Sequence, residues 1–433
     1  MSSSKTKNDI CWEALFEKYN ILNQINNNGY YKILARDIKK CREPRLMCKF
    51  DHISQLPKIF KKNNLRLLAL SRTEYIIGTF EVFQKLHYSD EQHLQIKSLP
   101  FHIESIQPSD LYSESISLHA AHISGMFHDV LNIKQNDMFF ATVSGRMGSG
   151  NFDFFVNDVS NEMKHKISIT GAQIEIDAAY ETKDAFIIVE AKKQKVNDFN
   201  IRQLYYPYKT WRNKLNKEIV PVFFTVSNDI FSIFVYKFQD DNIFNSIKCI
   251  EQKHYLLTDE HIDMVEVIEL CKKIKIKPEP QDVPFPQANS LERVIDLLSL
   301  LYEERLERTE ITELYDFTSR QTDYYCNIGR YLGLIKKVRE KDGIYYFLSE
   351  RGQHIMSLPY RRKYLSIFEV IFEHGPFNEG FLWWIKQGKT ISVEQVVELI
   401  EKYGHSLSES TKYRRAESLI AWLGSIDSLI NRR

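Results

Sequence analysis

Apolar and polar residues follow two rhythms along this chain, and the change falls near residue 278. Upstream, apolar runs are short and either alternating or solid. Residues 65–80 (LRLLALSRTEYIIGTF) predict two strands around a polar turn. Residues 115–131 place Ile116, Ala120, Ile123, Phe127 and Val130 on one stripe, which predicts a helix. Residues 173–180 and 185–192 predict two strands joined by the turn ETKD. A basic helix bent at Pro207 is expected over 197–216, with strands over 220–226 and 230–238. This order predicts an α/β fold with a mixed sheet.

Downstream the period becomes helical. Residues 290–306 form an amphipathic pattern, 309–316 and 320–332 two shorter helices, and 336–348 two strands around Lys341, Asp342 and Gly343. That is the order of a winged helix-turn-helix. A second such unit is expected over 361–433, with helices near Phe368, over 393–403 and over 410–423. Four of the twelve prolines lie in residues 278–289 (PEPQDVPFPQAN), which predicts an extended linker. The expected division is therefore 1–110 (an N-terminal α/β region), 111–277 (an α/β core), 278–289 (linker), 290–360 and 361–433 (tandem winged helices).

Composition narrows the classes. No apolar run approaches the ~18 residues that span a bilayer, and the start MSSSKTK lacks an apolar signal core. A cytoplasmic protein without membrane partners is expected. Cys11, Cys41, Cys48, Cys249, Cys271 and Cys326 form no C-x-x-C pair. Cys41, Cys48 and His52 lack a fourth ligand for zinc, so reduced and mostly buried thiols are expected. Net charge is +1, but it is unevenly spread. Eight basic residues fall between Lys192 and Lys217, and nine between Arg330 and Lys363. The near-neutral sum argues weakly against a nucleic-acid partner, but local distribution matters more than the sum, and charge is concentrated in these two places.

The candidate chemistry sits on the 173–192 strands. Side chains two apart in a strand share a face, so Glu190 and Lys192 point together, as do Glu175 and Asp177. A hairpin can bring these faces to one rim. Glu190 ends the apolar run Phe186-Ile-Ile-Val189, where a buried strand does not carry a carboxylate without a partner. Carboxylates beside an ammonium suit phosphodiester hydrolysis with Mg2+, which takes oxygen ligands and keeps several waters. Asp177, Glu190 and the Ala191 carbonyl are the expected ligands. Lys192 is expected to position or deprotonate the attacking water.

Asp177 followed thirteen residues later by Glu190-Ala191-Lys192 resembles the PD-(D/E)xK nuclease superfamily. QIEIDAAYE, IIVEAKK and DFNIRQLYYPYKTW look like one group of type II restriction endonucleases. KFDHISQLPKIFKKNNLRLL and SGRMGSGNFDF are similar to that group too, so the resemblance covers residues 44–240. Ile176 stands where the motif's name has proline, a position that varies. The resemblance implies a PD-(D/E)xK nuclease core over 111–277 and Mg2+-dependent cleavage of double-stranded DNA at a short specific sequence. It implies a catalytic supporting role for Gln203, which follows the lysine strand.

The other expected DNA contacts are drawn from basic and aromatic clusters. Arg202, Tyr206, Lys209 and Arg212 interleave charge and aromatic rings, as phosphate-binding surfaces do, while Tyr205 and Trp211 equally suit packing on the sheet. The glycine-dense 144–153 segment reads as a hairpin turn, or as a backbone approach to DNA with Arg146 entering a groove. Glu114 could approach the metals from the preceding helix. His119, His122 and His128 read as a polar helix face. Arg320, Gln321 and Tyr324 open the first recognition helix and Arg414 and Arg415 the second, where arginine reads guanine and glutamine adenine. No ATP-binding loop and no adenosylmethionine-binding glycine motif is visible, so a separate methyltransferase is the expected partner. One site per chain against two antiparallel strands implies a homodimer. The competing readings are a non-catalytic DNA-binding regulator with a nuclease-like domain and a nuclease specific for DNA structure.

Overall fold

The computed structural model describes residues 6–88, 94–106, 111, 113–134, 137–160, 164–258, 262–315, 317–341, 343–404 and 408–430. The chain forms two units. The first comprises Met1–Asp90, Ser113–Val226 and Phe231–His254, and the second Glu91–Tyr112, Ser227–Ile230 and Tyr255–Arg433. The first is mixed α/β and the second mostly helical.

The main sheet has seven strands. In spatial order they are Gln95–Lys97, Ile247–Leu257, Ile230–Phe238, Glu218–Ser227, Ala185–Lys192, Gln173–Glu181 and Phe140–Gly148. Ala185–Lys192 runs parallel to Glu218–Ser227 and antiparallel to Gln173–Glu181, so the sheet is mixed as expected. Phe186 through Ala191 are all buried. A strand covered on both faces reads as a continuous apolar run, which is why this segment lacks alternation. Gln173–Glu181 has Ile174 and Ile176 on the buried face, leaving Glu175 and Asp177 on the other.

Residues 65–80 form the expected antiparallel strand pair, Arg66–Ala69 with Glu74–Gly78. The N-terminal helices do not make a separate body. Trp12, Phe16 and Phe60 share one continuous core with Phe154, Tyr205, Tyr206 and Phe223. The 115–131 helix is broken by Gly125 (φ +76°) into Glu114–Ile123 and Met126–Val130. The basic helix is shorter than expected, Arg202–Arg212. Asp198–Asn200 instead pairs with Phe83–Lys85, because Phe199 stacks on Phe223 at 4.2 Å and the Asn200 amide donates to the Phe50 carbonyl at 3.0 Å.

The glycine-dense segment is not a hairpin. Phe140–Gly148 pairs with Gln173–Glu181, whereas Asn151–Asn157 pairs with Lys164–Thr170 in a second sheet. Gly150, in the left-handed region at φ +69°, turns the chain from one sheet to the other.

In the second unit, Leu291–Glu303, Arg308–Leu314 and Ser319–Tyr331 pack with an antiparallel sheet of Leu306–Glu307, Ile344–Leu348 and Ile335–Arg339. Asp316 and Asp342, at an expected helix end and turn, lie outside the described residues. From Glu350 onward the described residues form five helices and no strand, so the expected second wing is missing. No alternating β-branched run exists there to build one. The 278–289 segment is not a free linker either. Val283, Phe285 and Ala288 are buried in this unit's core, and buried Glu279 accepts from the Tyr331 hydroxyl and the Gly375 amide. Proline sets the backbone extended but says nothing of burial; the apolar residues between the prolines decide it.

Cys11 and Cys41 are joined as a disulfide with their Cα atoms 5.8 Å apart, which corrects the expectation of free thiols throughout. Cys271 and Cys326 are buried, Cys48 half-buried and Cys249 exposed. Among the described residues no helix is long and apolar enough to cross a membrane.

Phe285 is 1% exposed. Phe285→Ala should therefore cost about 3–5 kcal/mol of unfolding free energy. Denaturant titration followed by circular dichroism measures this, and a loss within about 0.5 kcal/mol would return the segment to a surface linker.

Candidate functional site

The rim of the sheet at Gln173–Glu181 and Ala185–Lys192 opens onto a cleft of about 960 Å³ in the first unit. The backbone register between these strands runs from Phe186↔Glu181 to Val189↔Ala178. Past that point a side chain takes over: Asp177 Oδ2 accepts the Ala191 N–H at 2.8 Å. Asp177 thus stands at the end of the ladder. Burial raises its pKa, with the Ala191 hydrogen bond and Lys192 pulling the other way.

Glu190 is 7% exposed. Its Oε1 accepts from Lys192 Nζ at 2.5 Å and also from Gln203 Nε2. Gln203 reaches it from the first turn of the Arg202–Arg212 helix, and its own Oε1 is buried with no hydrogen-bond partner among the described residues. Burial pushes the Glu190 carboxyl up to about 8, against the pull of Lys192 and with Asp177 and Asp51 adding to the rise. Burial draws Lys192 down, but Glu190, Asp51 and Asp177 outweigh it and hold the ammonium above its ordinary value. Lys192 is therefore a cation at neutral pH.

Glu114 and Asp51 also line the cleft. Glu114 begins the Glu114–Ile123 helix, whose cap is Ser113 Oγ accepting from the Ile116 amide at 3.2 Å. Burial raises its pKa, Lys192 opposes and Asp177 adds. Asp51 was not singled out from the sequence. It lies in the stretch Lys49-Phe50-Asp51-His52, where no apolar run sets the carboxylate apart. Burial pushes its pKa up, but Lys192, Lys49 and Arg202 outweigh this and hold it low. Arg36, Lys39, Arg45, Lys49, Arg72, Arg146 and Arg202 also line the cleft. With Glu43 and Glu175, six carboxylates and Lys192 thus sit amid seven further basic side chains, an arrangement suited to a cation and a polyanion together.

The structure brings together Asp177, Glu190, Ala191, Lys192, Gln203, Arg146 and Arg202. Arg146 pairs with Glu175 at 3.0 Å across adjacent strands, both about half exposed. The other residues expected on this surface lie elsewhere. Tyr206 is fully buried and its hydroxyl donates to the Ala69 carbonyl at 3.0 Å. Lys209 is buried with its Nζ 3.2 Å from Asn242 Oδ1. Arg212 pairs with Asp241 at 3.2 Å. Aromatic residues on every side of the helix indicate burial all round, and that pattern outweighs its basic count. His122 packs against Tyr180 and Phe139, with centroids 4.8 and 5.1 Å away, and His128 against Phe139 at 5.0 Å. These histidines belong to an aromatic cluster rather than a polar face.

In the second unit, Arg320 is exposed on the Ser319–Tyr331 helix and its Nε donates to the Tyr324 hydroxyl. The Gln321 Oε1 is committed to the helix cap, accepting from Thr318 N at 2.9 Å. Arg414 is exposed, but Arg415 is buried and desolvation lowers its pKa.

Three domains of unknown function match the chain: DUF6996 over residues 9–77, DUF6997 over 78–256 and DUF7226 over 293–431. The cleft is built from the first two, with Asp51 in one and the Asp177–Lys192 group in the other. No curated protein and no solved structure matches the chain.

The Glu190 shift has a sign that can be measured. Its folded pKa, about 8, lies above the ordinary 4.5. The folded chain keeps the proton through this window, and the stability this confers is lost as pH rises from 4.5 toward 8. Without added divalent ions, melting temperature should fall over that window and Glu190→Gln should flatten the fall. Parallel slopes for both proteins would show that Glu190 ionises as an ordinary carboxyl.

Proposed function

We propose that this protein is a type II restriction endonuclease with a PD-(D/E)xK nuclease core, a hydrolase that cleaves both strands of specific double-stranded DNA with Mg2+. The observation that carries the reading is the Asp177–Glu190–Lys192 group, with Glu190 buried, inside a cleft lined by basic side chains. Among the described residues no three His, Cys, Asp or Glu side chains converge as a ready-made cage. Magnesium does not need one: it keeps several waters and takes one or two carboxylates. Asp177, Glu190 and the Ala191 carbonyl would hold it, and a bound cation would favour the ionised form of the buried Glu190 carboxyl. When bound, the ion supplies a lowered pKa for an attacking water and charge neutralisation at the phosphate.

The chain's own residues do the rest. Lys192 positions or deprotonates the attacking water and stabilises the negative charge that develops on the phosphate. Gln203 fixes the Glu190 carboxylate from the helix side. Arg146 and Arg202 on the cleft wall bind backbone phosphates, which position a duplex without reading it. The helix pair and three-stranded sheet of the second unit support a winged helix-turn-helix with Arg320 presented to a groove. Gln321 keeps only its amide NH2 free for a base, and Arg414 is the better placed of the second pair. One such site per chain set against two antiparallel strands would call for a homodimer, and a separate methyltransferase would protect the host's own sites.

Plasmid DNA incubated with the protein and Mg2+ should be cut at fixed positions, and chelation should abolish cutting. Asp177→Ala and Lys192→Ala should each reduce the rate by about 100-fold or more, the scale of losing a transition-state charge contact. Unchanged cutting by both variants refutes the site, and site-specific binding without cutting would mark a regulator. Arg320→Ala should weaken duplex binding by about tenfold, the worth of one arginine–guanine pair. Electrophoretic mobility shifts at fixed salt measure this.

A further inference from the structure

We propose that Asp51 is a positioning residue that receives the Lys192 ammonium when a divalent cation engages Glu190. The proposal rests on the metal-dependent reading above and assigns a role to a residue that reading does not use.

Glu190 has two tasks that conflict. In the structure its Oε1 is the shared acceptor for Lys192 at 2.5 Å and for Gln203. A divalent ion on the same carboxylate would put two cations on one buried group, and their repulsion in a poorly solvated cleft is strong. Lys192 then needs another partner, because a buried ammonium left unpaired is costly.

Asp51 is the carboxylate prepared for this. Its side chain is 9% exposed, and it lines the same cleft as Lys192 and Glu190. Its backbone is fixed on both sides: the Asp51 N–H donates to Gln55 Oε1 at 2.8 Å, and its carbonyl accepts from the Asn200 N–H at 2.8 Å. Oδ2 faces Lys49 at 3.5 Å, while buried Oδ1 has no hydrogen-bond partner among the described residues. The other cationic candidates are less suited. Lys49 is 58% exposed, and His52 commits its Nδ1 to the Asp198 carbonyl at 2.5 Å. Of the charges acting on Asp51, Lys192 exerts the largest pull, followed by Lys49, Arg202 and His52. An orphaned buried carboxylate oxygen is expensive to keep. A second position for Lys192 accounts for it.

The test is a double-mutant cycle on magnesium affinity, read by isothermal titration calorimetry on the full chain and independent of DNA cutting. The four proteins are wild type, Asp51→Asn, Lys192→Met and the double variant. Asp51→Asn should weaken Mg2+ binding by about tenfold in the wild-type background, the worth of a lost charge-assisted pairing. In the Lys192→Met background the same change should shift affinity by no more than about twofold, because the residues act as a unit. Melting curves check folding; where Asp51→Asn fails to fold, Asp51→Ser carries the same comparison. An equal loss in both backgrounds makes Asp51 a direct ligand and overturns the proposal, as does no loss in either. A wild-type chain that takes up no Mg2+ overturns the underlying reading and this proposal with it.

Discussion

The hydrogen bond from the Ala191 amide to Asp177 Oδ2, at 2.8 Å, ties the two strands of the site where their backbone ladder stops. It places one carboxylate at the mouth of the sheet and orients the residues on either side of Ala191. Glu190 and Lys192 then fall on a common face by strand alternation alone. The remaining groups follow from where this rim meets its neighbours: Gln203 from a helix start, Glu114 from another, Asp51 from the N-terminal segment. Electrostatics couples them. Asp51, Glu114, Asp177 and Glu190 each titrate under the influence of Lys192, so these four are not independent of that one charge.

The centre of the site was legible because strand geometry is simple. A period of two specifies which residues share a face, and a carboxylate at the end of Phe186-Ile-Ile-Val189 stands out against an apolar background. The mixed sheet and the helical second unit were legible for the same reason: their periodicities are long and consistent. Asp51 was not, because its place in the cleft depends on contacts far apart in sequence. The Asn200 N–H that holds its backbone is 149 positions away, and no local pattern encodes such a pairing.

Other misreadings share one cause, which is that residue type was taken as a proxy for exposure. Lys209 and Tyr206 look like phosphate contacts in a basic stretch, yet both are buried beneath the helix they belong to. Four prolines look like a linker, yet Phe285 between them packs on Tyr331 at 5.7 Å. Cys11 and Cys41 look like unrelated thiols until the fold brings their Cα atoms within 5.8 Å. In each case tertiary context overrides a local preference, as it does for propensities generally.

The corner at Gly150 carries a further meaning. Within a few residues the chain passes from the strand that bears Arg146 to the one that buries Phe152 and Phe154 beneath the Arg202–Arg212 helix. Ser149, in the corner, is clamped: its carbonyl accepts from Thr210 Oγ1 at 2.9 Å, near the end of that helix. Glycine density here marks a welded joint, not a hinge. Lengthening the corner, which its composition invites, would uncouple the cleft wall from the hydrophobic floor beneath it.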